Sequence, residues 1–81
     1  MKLTQASVAR IQLPRGKSEV IVFDDELPGF GLRVREGGSR NWIVQYKIGP
    51  KQRRMTLGSV GMLNVVKARE AAKTALSWLR L

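Results

Sequence analysis

Trp42-Ile43-Val44-Gln45-Tyr46-Lys47-Ile48 is the stretch that decides the fold. Trp42, Val44, Tyr46 and Ile48 alternate with Ile43, Gln45 and Lys47, and an extended chain sends alternate side chains to opposite faces of a sheet. Turn chemistry flanks the run, with Glu36-Gly37-Gly38-Ser39 before it and Gly49-Pro50-Lys51 after it. Before the first turn, Phe30, Leu32 and Val34 alternate with Gly31, Arg33 and Arg35. After the second, Met55 and Leu57 alternate with Arg54 and Thr56. Short turns between alternating runs make antiparallel neighbours. Ser18 to Phe23 is β-branched and aromatic and reads as a first strand, set off by the turn residues Asp24-Asp25-Glu26-Leu27-Pro28-Gly29.

Farther out lie two helical signals. Asn64 is a good N-cap, and Val65, Ala68, Ala72, Leu76 and Leu79 fall on one face at helical spacing. The alanines on that face allow a close approach to the side of the sheet that carries Trp42 and Tyr46. At the other end, Thr4 caps a short helical turn to Ile11, which Pro14-Arg15-Gly16 breaks. The expected architecture is α+β: a small antiparallel sheet of three to four strands packed against one C-terminal helix. An N-terminal segment spans 1–17, the sheet 18–58 and the helix 64–80, and 81 residues allow one domain.

Composition removes most chemistry. There is no Cys, so disulfides and thiolate metal sites are excluded. There is no His, so the commonest general base and most zinc and iron sites are excluded too. No catalytic residue, metal site or cofactor is expected. Lys2 has no apolar run behind it to make a secretory signal, and Val20-Ile21-Val22-Phe23 is far short of a membrane span. The chain reads as a soluble, intracellular protein without a membrane partner.

Charge is the strongest functional signal. Fifteen Lys and Arg against six Asp and Glu give a formal charge of +9, which on so small a body points to a polyanionic partner. Five of the acids (Glu19, Asp24, Asp25, Glu26 and Glu36) gather between residues 18 and 36, and residues 37–81 carry nine bases and only Glu70. The pleat then sorts these charges by face. If Phe30, Leu32, Val34, Trp42, Val44, Tyr46, Met55 and Leu57 face the helix, the opposite face carries Arg33, Arg35, Ile43, Gln45, Lys47, Gln52, Arg54 and Thr56. No carboxylate is expected on it. A solvated face would mix signs, because like charges on adjacent strands repel. Arg, Lys, Gln and Thr offer the donors that phosphates and base edges require. Arg40, Lys51 and Arg53 are secondary phosphate-contact candidates.

Other motifs reduce to local structure. Gly16-Lys17-Ser18 ends like a phosphate-binding loop, but Ile11 stands where that loop needs Gly, and a strand follows instead of a helix. Gly29-Phe30-Gly31 lacks a third Gly at Val34 and leads into a strand. Asp24-Asp25-Glu26 reads as a solvated turn, since three consecutive residues do not converge on one cation. Tyr46 lacks an activating base and is expected in the core. Trp78 sits roughly 100–120° from the helix's apolar stripe, which suits packing on the N-terminal segment or an external contact.

Phe23-Asp24-Asp25-Glu26-Leu27-Pro28-Gly29-Phe30-Gly31-Leu32-Arg33-Val34 resembles the opening signature of the N-terminal arm-DNA-binding domain of phage and genomic-island tyrosine integrases. So do Ser39 to Lys47, Arg53-Arg54-Met55-Thr56-Leu57-Gly58, and Asn64 to Glu70 with Ala68-Arg69-Glu70. Leu3-Thr4 also fits, while Gly61 and Asn64 depart from a usual Pro and Ser. The resemblance implies a sheet placed in the major groove of arm-type double-stranded DNA sites. It also implies a bacterial cytoplasmic, nucleoid-associated protein. Catalysis would belong to a separate C-terminal domain, with a Tyr nucleophile supported by Arg, His and Lys. The chain would then be a fragment of a longer integrase, monomeric when isolated, with the rest of the integrase and other protomers as partners. A protein-interaction module for multimer assembly, using Trp78, Leu79 and Leu81, is the first alternative. Double-stranded RNA binding is the second.

Overall fold

The computed structural model describes residues 1–78 in full and the backbone of Leu79. Two helices and four strands follow in the order α1 (Gln5–Arg10), β1 (Glu19–Phe23), β2 (Phe30–Arg35), β3 (Arg40–Ile48), β4 (Lys51–Ser59) and α2 (Val65–Leu79). The strands form one antiparallel sheet in chain order, β1-β2-β3-β4. The α+β expectation holds, with α1 as a second, shorter helix on the same layer as α2.

Local chemistry sets the helix starts. The Thr4 hydroxyl accepts the Ser7 N–H at 3.0 Å, and the Ser7 hydroxyl accepts the Thr4 N–H at 2.8 Å, so each satisfies an N–H that the first turn leaves open. Asn64 Oδ1 accepts the Lys67 N–H at 2.9 Å and caps α2 as expected. Gln5 Oε1 takes the Val65 N–H at 3.2 Å, which ties the two helix starts together.

The inner face of the sheet supplies Phe30, Leu32, Val34, Trp42 and Val44, and the helical layer closes on it with Leu3, Val8, Ile11, Val65, Ala68 and Ala72. Phe30 and Trp42 stack at 5.5 Å between ring centroids, and the Trp42 indole N–H donates to the Leu63 carbonyl at 2.8 Å. Leu76 is half-buried beside this core. The expected place of Leu79 on the stripe concerns a side chain outside the described residues, as does Leu81. Gly29 joins β2 to the sheet at a positive φ of +90°, where a Cβ would come within 2.4 Å of the Gln45 carbonyl oxygen. No side chain fits there.

Candidate nucleic-acid interface

The pairing registers place the residues that alternation selected on one face. Ile43 stands opposite Thr56, Gln45 opposite Arg54 and Lys47 opposite Gln52, while Arg33 stands opposite Asn41. Between Trp42 and Ile43 the register slips by one, so Leu57 is an extra residue on β4. This bulge keeps Thr56 facing outward while Gly58 beyond it opposes Trp42 on the inner side.

β3 and β4 are longer than their neighbours, and this shapes the surface. β2 pairs with β3 only as far as Val44, while β3 continues to Ile48 and its pairing with β4 continues to Lys51. Gln45 to Ile48 and Lys51 to Arg54 therefore form a two-stranded ribbon that overhangs the sheet beyond Gln45, whose N–H still donates to the Gly29 carbonyl at 2.8 Å. On its outward side lie Gln45, Lys47, Gln52 and Arg54; the Arg54 guanidinium donates to Gln45 Oε1 at 3.0 Å. Gln45, Gln52, Arg53 and Arg54 line a shallow polar depression at this edge. Among the described residues, Lys47, Lys51, Arg53 and Arg54 have no carboxylate within ion-pair distance. The inner side of the ribbon escapes the helical layer: Tyr46 is half-buried, and Ile48 and Met55 are exposed.

The structure changes several expectations. The outward face does hold a carboxylate. β1 pairs with β2 as Glu19↔Arg35, Ile21↔Arg33 and Phe23↔Gly31, which puts Glu19, Ile21 and Phe23 on that face. The Glu19 carboxylate accepts from Arg33 Nε and lies 3.8 Å from Arg35 Nε. Phe23, 40% exposed, approaches Gly31 closely enough that a Cβ there would stand 3.1 Å from the ring. β1 is apolar on both sides from Val20 to Phe23, so only its pairing with β2 assigns these residues to a face. Ile43 lies on the outward face but has no accessible surface, so it forms the floor of the interface rather than a contact. Arg40, Lys51 and Arg53 point to the inner side, opposite Val34, Ile48 and Tyr46. Arg40 is turned away from any ligand on the outward face, because its guanidinium donates to the Val8 carbonyl at the end of α1. Lys51 and Arg53 stay exposed because the ribbon is open on both sides.

Asp24 also departs from expectation. Asp25 and Glu26 are solvated, but Asp24 is only 6% exposed. It accepts the N–H groups of Leu3 (2.9 Å) and Leu27 (3.2 Å) and the Arg69 Nε at 3.1 Å. Burial pushes the Asp24 carboxyl up, but the hydrogen bonds and charge of Arg69, with the Leu3 and Leu27 N–H groups, outweigh it and hold the carboxyl below the ordinary aspartate value. Arg69 also donates to the Leu3 carbonyl at 2.7 Å and lies 5.7 Å from the Phe30 ring centroid. This knot fastens the N-terminal segment, the β1–β2 turn and α2 together, on structural duty.

The outward face thus carries Arg33, Arg35, Gln45, Lys47, Gln52, Arg54 and Thr56 with Glu19 as its one acid, and the ribbon that extends it holds none. Residues 3–81 match the family described as the arm DNA-binding domain. The chain belongs to that family. No curated protein matches it closely enough to add a relative. An arm DNA-binding domain is a DNA-binding module found in integrases. Among the described residues of this arm DNA-binding domain, no helix is long and apolar enough to cross a membrane, and no cluster of acidic side chains is arranged to hold a metal ion.

Proposed function

We propose that the chain binds double-stranded DNA at arm-type attachment sites as the N-terminal domain of a site-specific tyrosine recombinase, with the β3–β4 ribbon leading the outward face into the major groove. The observation that carries this reading is the ribbon itself: Gln45, Lys47, Gln52 and Arg54 on one side, Lys51 and Arg53 on the other, and no acid among them. The major groove is about 12 Å wide and admits a two-stranded ribbon. Outward Gln45 and Thr56 have the length to reach base edges, and the flanking cations have the length to reach phosphates. Strand cleavage and joining belong, on this reading, to a catalytic domain elsewhere in a longer integrase.

The test is fluorescence anisotropy with an arm-type duplex, a mixed-sequence duplex and double-stranded RNA at several salt concentrations. With Lys47, Lys51, Arg53 and Arg54 near phosphates, about four contacts give a slope of log K against log salt of about −3.5 to −4. A slope near zero removes the reading, and a preference for RNA replaces it. One observation favours a second role in multimer assembly. Trp78 is 71% exposed, and Met62 and Val66 are exposed toward the start of α2. Leu79 and Leu81, the other candidates for that role, fall outside the described side chains.

A further inference from the structure

We propose that Glu19 is a built-in brake on indiscriminate DNA binding: it holds Arg33 and draws in Arg35, so two cations of the outward face are withheld from phosphate. The inference rests on the reading that this face binds duplex DNA. Glu19 is directly across from Arg35 and two pairs along, on the same face, from Arg33, and its carboxylate accepts from the Arg33 Nε. The Arg33 side chain is 26% exposed and that of Glu19 33%, so the pair is partly shielded from salt. The rest of the β1 stripe, Ile21 and Phe23, offers a phosphate no side-chain donor. A phosphate that reached Arg33 would meet the Glu19 carboxylate beside it.

Every duplex presents phosphates at this position, whatever its sequence. Only particular sequences present a guanine edge, which Arg engages through two hydrogen bonds. A site of the second kind compensates Arg33 for the lost carboxylate, and generic DNA does so less well. Glu19 thus lowers affinity for both, but most for DNA that lacks the matching edge. Specificity is a difference of affinities, and an element that repels the wrong partner raises it as a contact to the right one does. The β3–β4 ribbon, with no acid among its residues, is free of such restraint.

The experiment compares the 81-residue chain with its Glu19→Gln variant on a mixed-sequence duplex. Glu19→Gln should bind about two- to fivefold tighter at low salt, the size of one partly exposed charge interaction. Its salt slope should steepen by up to about 0.9 for each arginine released. Adding Arg33→Ala to Glu19→Gln should remove most of the gain. If thermal melting shows that Glu19→Gln does not fold, Glu19→Asp, which retracts the carboxylate, should shift affinity in the same direction. Unchanged or weaker binding by the folded variant, alongside a clear loss in Arg54→Ala, would overturn the brake and leave the DNA-binding reading standing. No salt-dependent binding by the parent chain would remove that reading, and the brake with it.

Discussion

Asp24 accepts two backbone N–H groups and the guanidinium of Arg69, whose side chain is itself mostly covered. Asp24→Asn would leave that cation only the half-exposed Glu26 carboxylate at 3.9 Å and the Leu3 carbonyl. It should therefore cost less than the roughly 3–5 kcal/mol of a fully broken buried pair, about 2–3 kcal/mol by chemical denaturation. The acid limb follows from the direction of the shift. The folded carboxyl titrates below the ordinary value, so its stabilisation is complete above the unfolded pKa of about 4 and is lost as the pH falls through the lower folded value. The parent chain should therefore lose stability below about pH 4 more steeply than Asp24→Asn. Sequence reading could not find this knot. Three adjacent acids look alike in a turn, and the partner that distinguishes Asp24 lies 45 residues away.

Strands β2 and β3 were legible because alternation sets Phe30, Leu32, Val34, Trp42 and Val44 apart from Arg33, Arg35, Gln45 and Lys47. The first half of β4, Lys51 to Arg54, is polar on both sides and shows no such pattern. β1 was legible as a strand but not by face, since Val20 and Val22 on one side and Ile21 and Phe23 on the other are all apolar. Only its pairing with β2 resolves the choice, and with it the position of Glu19. The overhang was also hidden, because strand length against neighbours is a property of the assembled sheet. β3 offers a sharp test of register. Val44→Ala should cost roughly 2–3 kcal/mol in a denaturant titration, through lost burial and the cavity left behind. Gln45→Ala should leave stability nearly unchanged and lower the preference for the favoured duplex by about 1–3 kcal/mol in competition binding. Arg54→Ala should weaken favoured and mixed-sequence duplexes alike, since phosphate contacts position without specifying.

Across the whole molecule, the charges are sorted by place. Asp24, Asp25 and Glu26 face Met1, Lys2 and Arg69, while Lys47, Lys51, Arg53 and Arg54 lie out along the ribbon with no acid beside them. Trp78, on the exposed side of α2, takes no part in either group. Trp78→Ala should leave duplex affinity within about twofold, by anisotropy, and lower the melting temperature only slightly, as surface substitutions do. A large loss of affinity in the folded variant would move the interface to α2. The helix's phase already announced that position, because Trp78 breaks from the stripe set by Ala68 and Ala72.

β4 ends the sheet, and among the described strands it pairs with β3 alone. Its free edge carries backbone N–H and C=O groups that another copy of the chain could take up, as in the onset of aggregation. Lys51, Arg53 and Arg54 are spaced along that edge, all exposed, and two such edges repel each other. The ribbon's cations thus act as gatekeepers against self-association. If the ribbon is the DNA contact proposed above, a chain stripped of these cations loses its hold on DNA and its protection against precipitation together.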